Sequence, residues 1–445
     1  MSAPPFDAAA MAELVRAGRM ALFVERAHDL EPADLADVLA SLDEDERVAA
    51  VRALPPELSS QALAEMPVEE HAGETLAALA PEQAAEIVDE LEDDDAADLI
   101  GELDPVTQEH ILAGLEHRAE VDQLLRYDEK TAGGLMTTHL MKVRDTDSVA
   151  EALEEIRRRS EEVEDFYQIF VVDRRDILVG TLPLKQLVTS APDRPVREFL
   201  EEADIRVAPD LDQEEVARVM ARYNLASVPV VNPAGRLIGR VTFDDVTDVV
   251  EQETTEDLLR FGGVSGELSS DVVAAVRSRL PWLLINLLTA FVAKSVIDAQ
   301  QDVIGRLPLI AAWLGVIAGM GGNAGTQALA VTVRRVALGL VAAGEARRVI
   351  VNELVVGALN GLANGALVAA VALLTHTGGA TLGLVVGLAM VGNLIVAGAS
   401  GAVIPLLLHR MRIDPAVASS IFVTTFTDVF GFGLVLFLAR VLLLH

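Results

Sequence analysis

The rear part of the chain consists of five long apolar runs separated by short polar stretches. Each run has about the length that crosses the hydrocarbon core of a bilayer, so the pattern predicts five membrane-spanning helices. The alternative, a soluble apolar core, is disfavoured because five such runs in succession are difficult to bury. The runs lie near Pro281–Ile304, Pro308–Val331, Ile350–Thr375, Leu382–Leu408 and Pro415–Leu444.

The basic residues around these runs indicate an orientation. Arginines precede the first run and occupy the loops after the second and fourth, whereas the other two loops contain only Arg306. Cytoplasmic loops are enriched in Lys and Arg, so we expect a cytoplasmic N-terminus and an external C-terminus. The start "MSAPPFDAAA" lacks the layout of a signal peptide, which agrees with a cytoplasmic front part. Lys294, inside the first run, has no explanation in this scheme.

Prolines recur in the front part at regular intervals. They are 24, 25 and 24 residues apart, and each one opens an amphipathic pattern of helical period. The pattern predicts an all-α superhelical domain built from a repeat, with an unpatterned Ala-rich bundle as the alternative. The prolines are Pro32, Pro56, Pro81 and Pro105.

A second duplication follows the helical repeat. "QIFVVDRRDILVGTL" at Gln168 is echoed by "SVPVVNPAGRLIGRV" at Ser227, each after a helical segment. This resembles a tandem CBS pair, an α/β regulatory module. In "GRVTFDD" of the second copy, Thr242 and Asp245 match the family's nucleotide-contacting Thr/Ser-x-x-Asp motif. The first copy reads "GTLPLKQ", so we expect at most one nucleotide site.

Charge is distributed very unevenly along the chain. The net charge is −33, yet only seven of the 68 acidic residues lie from Asp271 onward, against eleven of the 35 basic residues. A strongly acidic front part favours cations as partners and argues against nucleic acid. There is no cysteine, and the eight histidines have no metal-ligand spacing, so a soft-metal site is not expected.

Asp428 is an isolated carboxylate within the last apolar run, in "VTTFTDVFGFG". A charge at the bilayer centre costs roughly 2.5 kcal/mol or more and usually faces an ion path or a cavity. Thr424, Thr425 and Thr427 surround it with hydroxyls, and Asn323 lies in "GMGGNAGTQ" of the second run. Such oxygens suit hydrated Mg²⁺, and two aspartates of a two-fold dimer would balance one divalent ion. A structural salt bridge, for example with Lys294, is the alternative.

Several clusters of acidic residues also occur in the front part of the chain. "ELEDDDAADLI" places Asp94 and Asp98 one helical turn apart, and "PDLDQEE" contains Asp212 and Glu214. From Val249 a polar helix, "VVEQETTEDLLRF", connects the CBS pair to the membrane part. About half of these acids are expected to be an ordinary solvated face, but closing such surfaces on each other requires cations.

The order of parts resembles the MgtE family of magnesium channels over nearly the whole chain. The specific motifs are "YDEKTAGGLMT" at Tyr127, "GGNAGTQ" at Gly321 and "TTFTDVFGFG" at Thr424. The resemblance implies a multidomain membrane protein: an all-α superhelical N-terminal domain, an α/β tandem CBS pair, a connecting plug helix and a five-helix all-α transmembrane domain. The expected boundaries are 1–128, 129–248 (CBS copies at about 136–190 and 196–248), 249–270 and 271–445.

The resemblance also implies roles for single residues. Asp428 would anchor the hydrated ion in a dimeric pore, with Thr424 on the same filter. In "ARYNLAS", Asn224 stands where the family can have an aspartate, so metal binding there should be weaker or lost. The resemblance also implies ATP at the CBS pair, which here rests on Thr242 and Asp245 alone. Asp245 is thus assigned to both metal and nucleotide, and the sequence does not separate these. The implied regulatory metal ligands are Asp94, Asp98, Asp212, Glu214, Asp245, Asp248, Glu253, Glu256 and Asp257.

The function expected from the sequence is a homodimeric Mg²⁺-selective channel of the inner cell membrane, gated by intracellular Mg²⁺. Mg²⁺ would bridge the acids and stabilise the closed form by binding that form better. Two alternatives stay open: transport of Co²⁺, Mn²⁺ or Ni²⁺, and a membrane-tethered nucleotide sensor that transports nothing. Ser–His–Asp order, phosphate-cradling Gly–Lys loops and zinc spacing are all missing from the sequence, so an enzyme is not expected.

Overall fold

The chain divides into two compact units, residues 1–253 and 254–445. The structure is a computed structural model, and it describes residues 7–66, 72–160, 163, 168–264, 272–338, 340–341, 344–374, 379–415 and 419–444.

The first unit begins with a superhelix of short helices. Each of the four repeat prolines is the first residue of a helix (α3, α5, α7 and α9), where its missing N–H removes no hydrogen bond. The predicted repeat is therefore confirmed. The helices are α1 (Ala8–Arg16), α2 (Met20–Ala27), α3 (Pro32–Ala40), α4 (Glu44–Ala53), α5 (Pro56–Ala64), α6 (Ala72–Ala77), α7 (Pro81–Val88), α8 (Asp93–Gly101), α9 (Pro105–Leu112) and α10 (Arg118–Leu124).

Two small α/β modules complete the first unit, as the duplication predicts. The first has a four-stranded sheet in the order β1-β2-β3-β4, with β1 and β2 parallel and the other pairs antiparallel. The second has the antiparallel pair β5 and β6. The elements are β1 (Lys142–Arg144), α11 (Val149–Arg159), β2 (Ile169–Val172), β3 (Leu178–Leu182), α12 (Leu184–Thr189), a 3₁₀ helix (Val196–Glu198), β4 (Glu201–Glu202), α13 (Gln213–Tyr223), β5 (Ser227–Val231), β6 (Leu237–Thr242) and α14 (Phe243–Phe261).

The superhelix and the second α/β module share one continuous hydrophobic core. It extends from Phe23 and Leu35 through Ile100 to Val216 and Val241, all nearly inaccessible to solvent. The first module has its own core around β2 and α11. Because the helical domain is fused to the second module by apolar packing, acidic residues of α8 are held against those at the start of α14.

The connecting helix α14 starts earlier than Val249. It begins at Phe243, directly after β6, and is described as far as Phe261. The backbone N–H of Thr242 donates to Asp245 Oδ2 over 3.2 Å, and the Thr242 hydroxyl donates to the same carboxylate. This local cap explains why the helix starts at the motif in the second copy rather than six residues later. Residues 265–270 of the predicted connector lie outside the described residues.

Besides the end of α14, the second unit contains five long helices and one short helix among its described residues. Four of the long helices (α15, α18, α19 and α20) are long and apolar enough to span a membrane. The fifth, α17, contains the glycine, asparagine and glutamine residues of "GMGGNAGTQ", and five spans stays a prediction. The bounds are α15 (Val272–Asp298), α16 (Gln301–Arg306), α17 (Ile310–Ala337), α18 (Ala346–Leu374), α19 (Gly379–Arg410) and α20 (Ser419–Leu443).

Glycines allow α18 and α19 to pack backbone against backbone. Gly357, Gly361 and Gly365 are spaced by four residues on α18 and all are buried. A Cβ at Gly357 would lie 2.5 Å from the Leu394 carbonyl oxygen of α19, and one at Gly365 would lie 2.7 Å from the Gly387 oxygen. Small residues at such spacing are typical of tightly packed membrane helices.

Candidate functional site

Asp428 lies in the middle of α20 with its side chain half-buried. The described residues provide it with neither an ion-pair partner nor a hydrogen-bond donor. Lys294, the basic residue considered as its partner, instead forms an ion pair with Asp298 one turn further along α15, at 2.5 Å. Within the part of the chain that the structure describes, the Asp428 carboxylate therefore has no compensating charge.

The threonines around Asp428 have their hydroxyl protons engaged by the backbone. Thr424 Oγ1 donates to the Ser420 carbonyl over 3.0 Å, and Thr425 Oγ1 donates to the Ile421 carbonyl over 2.6 Å. Thr427 Oγ1 donates to the Thr424 carbonyl over 2.9 Å. A hydroxyl that donates in this way still has oxygen lone pairs, which can face a cation or the water bound to it. Thr424 and Thr425 are half-buried and can present such acceptors beside Asp428, whereas Thr427 is fully buried and packs against the glycines of α17.

The glycine-rich part of α17 packs on this turn of α20. A Cβ at Gly322 would lie 3.7 Å from Thr424 Cγ2, and a Cβ at Gly325 would lie 2.4 Å from Val423 Cγ1. Asn323 is part of the same segment, and its side chain is exposed on the single chain. The structure brings its backbone segment to the Thr424 turn, but no described hydrogen bond joins Asn323 to Asp428.

The second candidate site is a group of carboxylates that we call the α8 acidic cluster: Asp94, Asp95 and Asp98 of α8 with Asp245 of α14. Asp94 is 8% exposed, and its Oδ1 has no hydrogen-bond partner among the described residues. Burial raises the pKa of Asp94 well above its usual range, and the like charge of Asp245 raises it further. An uncompensated buried carboxylate of this kind fits a cation that enters from solvent.

The other members of the cluster are perturbed in the same direction. Burial, with added repulsion from Asp245, raises the pKa of Asp95 to about 7. Asp98 keeps solvent contact on the helix surface, but the protein packed around it and the charge of Asp95 raise its pKa to about 8. Burial raises the pKa of Asp245 to about 6, although the hydrogen bonds from Thr242 oppose the rise. Burial is the main cause of all three shifts, and the repulsion between neighbouring carboxylates adds to it.

A cavity of about 130 Å³ adjoins Asp98 within the first unit. Its polar lining includes Glu129, Tyr127 and Gln108, and its other walls come from α8, α10 and the segment that leads into the CBS pair. The cavity is roomy enough for several water molecules, and Asp98 is the member of the cluster that lines it. The motif "YDEKTAGG" is tightly packed here, since a Cβ at Gly133 would lie 2.6 Å from the Tyr127 ring.

Three further predicted metal ligands already have protein partners. Asp212 accepts from the Glu214 backbone N–H at the start of α13, at 3.0 Å. Glu214 forms an ion pair with Arg218 at 2.7 Å, and Glu253 Oε1 accepts from Gln213 Nε2 at 2.7 Å. Asp248 is exposed on α14. Partial desolvation by the surrounding protein raises the pKa of its carboxyl group, and the charges of Asp244 and Glu251 raise it further.

Glu256 and Asp257 lie on the part of α14 that belongs to the second unit. Glu256 is paired with Arg260, and Arg260 Nη1 also contacts Asp414 Oδ2, in the segment after α19, at 2.5 Å. Sequence reasoning missed both Arg260 and Asp414, which are 154 residues apart. An arginine between two carboxylates occupies the position that a bridging cation would need.

Asn224 ends α13 in a left-handed conformation with φ of 54°. Its backbone N–H donates to the Met220 carbonyl, which closes the helix. Asn is among the few residues that adopt this conformation at little cost, so the backbone gives a local reason for an asparagine here.

The described residues contain no group of three or more His, Asp or Glu side chains positioned to hold a metal ion. Sequence reasoning named Asp94 and Asp98 but missed Glu92, Asp95 and Glu129, although the first two belong to the same acidic run.

Comparisons with protein families agree with this organisation. Residues 314–438 match the MgtE family, described as a divalent cation transporter. Residues 30–130 match the MgtE intracellular N domain, and residues 132–193 and 196–252 each match a CBS domain. The predicted CBS pair is thereby confirmed.

Individual proteins are similar over most of the chain. The magnesium transporter MgtE of Thermus thermophilus is 38% identical over 330 residues, which cover 73% of each chain. That of Enterococcus faecalis is 34% identical, covering 70% of this chain and 69% of its own. A crystal structure of the cytosolic domain of the Mg²⁺ channel MgtE in complex with ATP superimposes with a TM-score of 0.51 at 36% identity. It covers 55% of this chain and all of that one.

Proposed function

Because this chain belongs to the MgtE family of divalent cation transporters, we propose that it is a Mg²⁺-selective channel regulated by intracellular Mg²⁺. Two copies of the chain form the pore in the inner cell membrane, among lipids, with the first unit in the cytoplasm. The observation that carries the proposal is the carboxylate of Asp428 on an apolar helix, which has no partner among the described residues and lies beside backbone-tethered threonines.

The ion held at Asp428 is a divalent cation that keeps its inner water. One chain supplies Asp428 together with Thr424, Thr425 and Asn323, and a second copy supplies the same set across the two-fold axis. Two carboxylates balance one divalent charge, and hydroxyl and amide oxygens accept hydrogen bonds from its water. Mg²⁺ fits this arrangement because it loses its water reluctantly and prefers oxygen.

Regulation follows from the acids of the front part. Without Mg²⁺, repulsion within the α8 acidic cluster and along α14 works against the compact arrangement. Mg²⁺ relieves this repulsion, binds the closed form better, and shifts the population toward it. The regulatory ligands are Asp94, Asp98, Asp212, Glu214, Asp245, Asp248, Glu253, Glu256 and Asp257, where the ion pair between Glu256 and Arg260 must open for Glu256 to take part.

ATP binds at the second CBS copy through Thr242 and Asp245. The Thr242 hydroxyl donates a hydrogen bond to the Asp245 carboxylate, so a nucleotide that uses both side chains has to replace that contact. Asp245 is also part of the α8 acidic cluster, and we infer that ATP and Mg²⁺ influence each other's binding there. The sign of that coupling decides whether ATP favours the closed or the open pore.

Flux into liposomes that contain only the purified chain tests the proposal, with internal and external Mg²⁺ varied separately. Asp428→Asn should abolish Mg²⁺ entry, whereas Asp298→Asn, which removes a carboxylate paired with Lys294 in the same unit, should leave it unchanged. Competition with Co²⁺, Mn²⁺ and Ni²⁺ measures selectivity. Undiminished flux in Asp428→Asn would refute the pore. Normal closure by internal Mg²⁺ after joint neutralisation of Glu256 and Asp257 would refute the regulation alone.

A further inference from the structure

The amide of Asn393 is buried at the junction of three membrane helices. Asn393 lies in the middle of α19 and is 0% exposed, among apolar residues such as Met390 and Leu394. Its Nδ2 donates to the Ile317 carbonyl of α17 over 2.9 Å. Its Oδ1 has no hydrogen-bond partner among the described residues.

Two glycines on different helices make room for this amide. A Cβ at Gly321 of α17 would lie 2.2 Å from Asn393 Nδ2, and a Cβ at Gly431 of α20 would lie 2.9 Å from the same atom. The Cβ at Gly321 would also lie 3.1 Å from Thr427 Cβ. The side chain from α19 is therefore wedged where α17 meets α20.

This junction lies behind the proposed ion site. Gly321 is two residues before Asn323, while Thr427 and Gly431 flank Asp428 on α20. A shift of Asn393 would move the segments that carry Asn323 and Asp428 relative to each other. None of the contacts involves the Asp428 carboxylate itself, so Asn393 acts on the site only through the backbone positions of its neighbours.

Packing alone does not account for an asparagine at this position. A leucine of similar size would fill the same apolar surroundings without a buried oxygen that lacks a donor, and an unpartnered buried polar atom is destabilising. Buried polar groups that cost stability can instead fix one arrangement among several similar ones. The directional hydrogen bond from Asn393 to the Ile317 carbonyl fixes the rotation of α17 about its axis and its position along that axis.

We propose that Asn393 is a positioning residue for permeation: its amide fixes α17 against α20 and thereby sets the spacing of the oxygens around the ion. The proposal rests on the proposed function, because it assumes that Asp428 and Asn323 line the ion path. It concerns the selectivity and the apparent affinity of that path, which a residue needed only for assembly would leave unchanged in the molecules that fold.

The test compares Asn393→Leu and Asn393→Ala with a matched change on a neighbouring helix, Asn360→Leu, whose side chain is exposed on α18. Flux into liposomes is measured per folded molecule at several Mg²⁺ concentrations and with Co²⁺ in competition. Both Asn393 variants should change the half-saturating Mg²⁺ concentration or the Mg²⁺/Co²⁺ ratio by about three- to tenfold, the factor expected for losing one buried hydrogen bond. Asn360→Leu should resemble the unmodified chain.

A double variant tests the geometry directly. Gly321→Ala places a methyl group against the amide, and the damage should be smaller in the Asn393→Ala background, where that amide is gone. Unaltered half-saturation and ion ratio in both Asn393 variants would overturn the proposal while Asp428→Asn still blocks flux. Failure of both variants to fold would assign Asn393 to assembly and would also overturn it. Normal flux in Asp428→Asn would overturn the pore itself.

Discussion

The Asp93 carboxylate accepts a hydrogen bond from the Thr137 hydroxyl, 2.7 Å away and across 44 residues of sequence. Both side chains are almost completely buried. The backbone N–H of Thr138 donates to the same carboxylate at 3.1 Å, and the Thr138 hydroxyl also contacts it. Asp93 is the first residue of α8, so this junction fixes the start of the acidic helix to the segment that leads into the CBS pair.

Replacing Asp93 should loosen that junction. Asp93→Ala leaves buried donors of Thr137 and Thr138 without an acceptor, and we expect a loss of about 2–4 kcal/mol in the stability of the first unit. Thermal unfolding of the full chain in detergent, followed by circular dichroism, measures it. The control is Asp37→Ala on the exposed face of α3, where the change should stay within about 0.5 kcal/mol. Equal stability of the two variants would contradict the role of Asp93.

Asn224→Asp should increase the sensitivity of the channel to internal Mg²⁺. Aspartate tolerates the left-handed backbone at this position, and the exposed side chain would add a carboxylate where the family can have one. Since affinity for hard cations follows the charge of the ligands, we expect half-closure at about three- to tenfold lower Mg²⁺. Flux as a function of internal Mg²⁺ measures this shift.

Asn224→Gly separates the carboxylate from the backbone. Glycine adopts a φ of 54° without strain, so this variant should keep both the helix end and the original Mg²⁺ dependence. A shift of the same size in Asn224→Gly and Asn224→Asp would show that the backbone, not the added charge, controls sensitivity.

The raised pKa values of the α8 acidic cluster predict a pH-dependent stability when divalent ions are chelated. Asp95 and Asp98 have pKa values of about 7 and about 8, against an ordinary value of 3.8. Between about pH 4 and pH 8 the folded unit therefore binds more protons than the unfolded chain, and the free energy of unfolding falls as pH rises. The charged groups around the cluster are Glu65, Glu92, Asp93, Glu102, Glu129, His139, Arg240 and Asp244.

In chelator, the first unit should thus melt at a higher temperature at pH 5.5 than at pH 8. Adding Mg²⁺ should raise the melting temperature more at pH 8, where the carboxylates are ionised, than at pH 5.5. In Asp95→Asn with Asp98→Asn, both the pH effect and the Mg²⁺ effect should shrink. A melting temperature that rises between pH 5.5 and pH 8 without divalent ions would contradict the direction of these shifts.

The regular features of the fold could be read from the sequence because each has a local physical signature. Pro32, Pro56, Pro81 and Pro105 start helices because proline is compatible with a first turn but not with a helix interior. The apolar runs predicted long helices because a continuous apolar segment of that length crosses a bilayer as a helix. The predicted start of α14 is six residues too late because Thr242 and Asp245 were interpreted as ligand-binding residues and not as a helix cap.

Contacts between segments that are distant in the sequence were much harder to predict from it. The pairing of Arg260 with Asp414 depends on how α14 ends beside the segment after α19, and no local pattern encodes it. In the sequence, Asn393 is only a polar residue in an apolar run, which does not predict its hydrogen bond to α17. The contact between α18 and α19 did have a sequence signal, since Gly357, Gly361 and Gly365 repeat at intervals of four residues.

That glycine repeat leads to a prediction in which the same Gly→Ala change has different effects on stability at two positions. Gly357→Ala would place a methyl group 2.5 Å from the Leu394 oxygen and 3.2 Å from Ile395 Cα, both backbone atoms that cannot move independently. We expect α18 and α19 to separate, with a loss of about 1–3 kcal/mol in the free energy of unfolding, as for other overpacked positions.

The control is Gly315→Ala on α17, where the added methyl group meets no heavy atom within 4 Å. There the higher helix propensity of alanine should be neutral or stabilise by up to about 1 kcal/mol. Thermal unfolding of both variants in detergent decides between close backbone packing and a general intolerance of membrane glycines, since only the latter predicts equal losses.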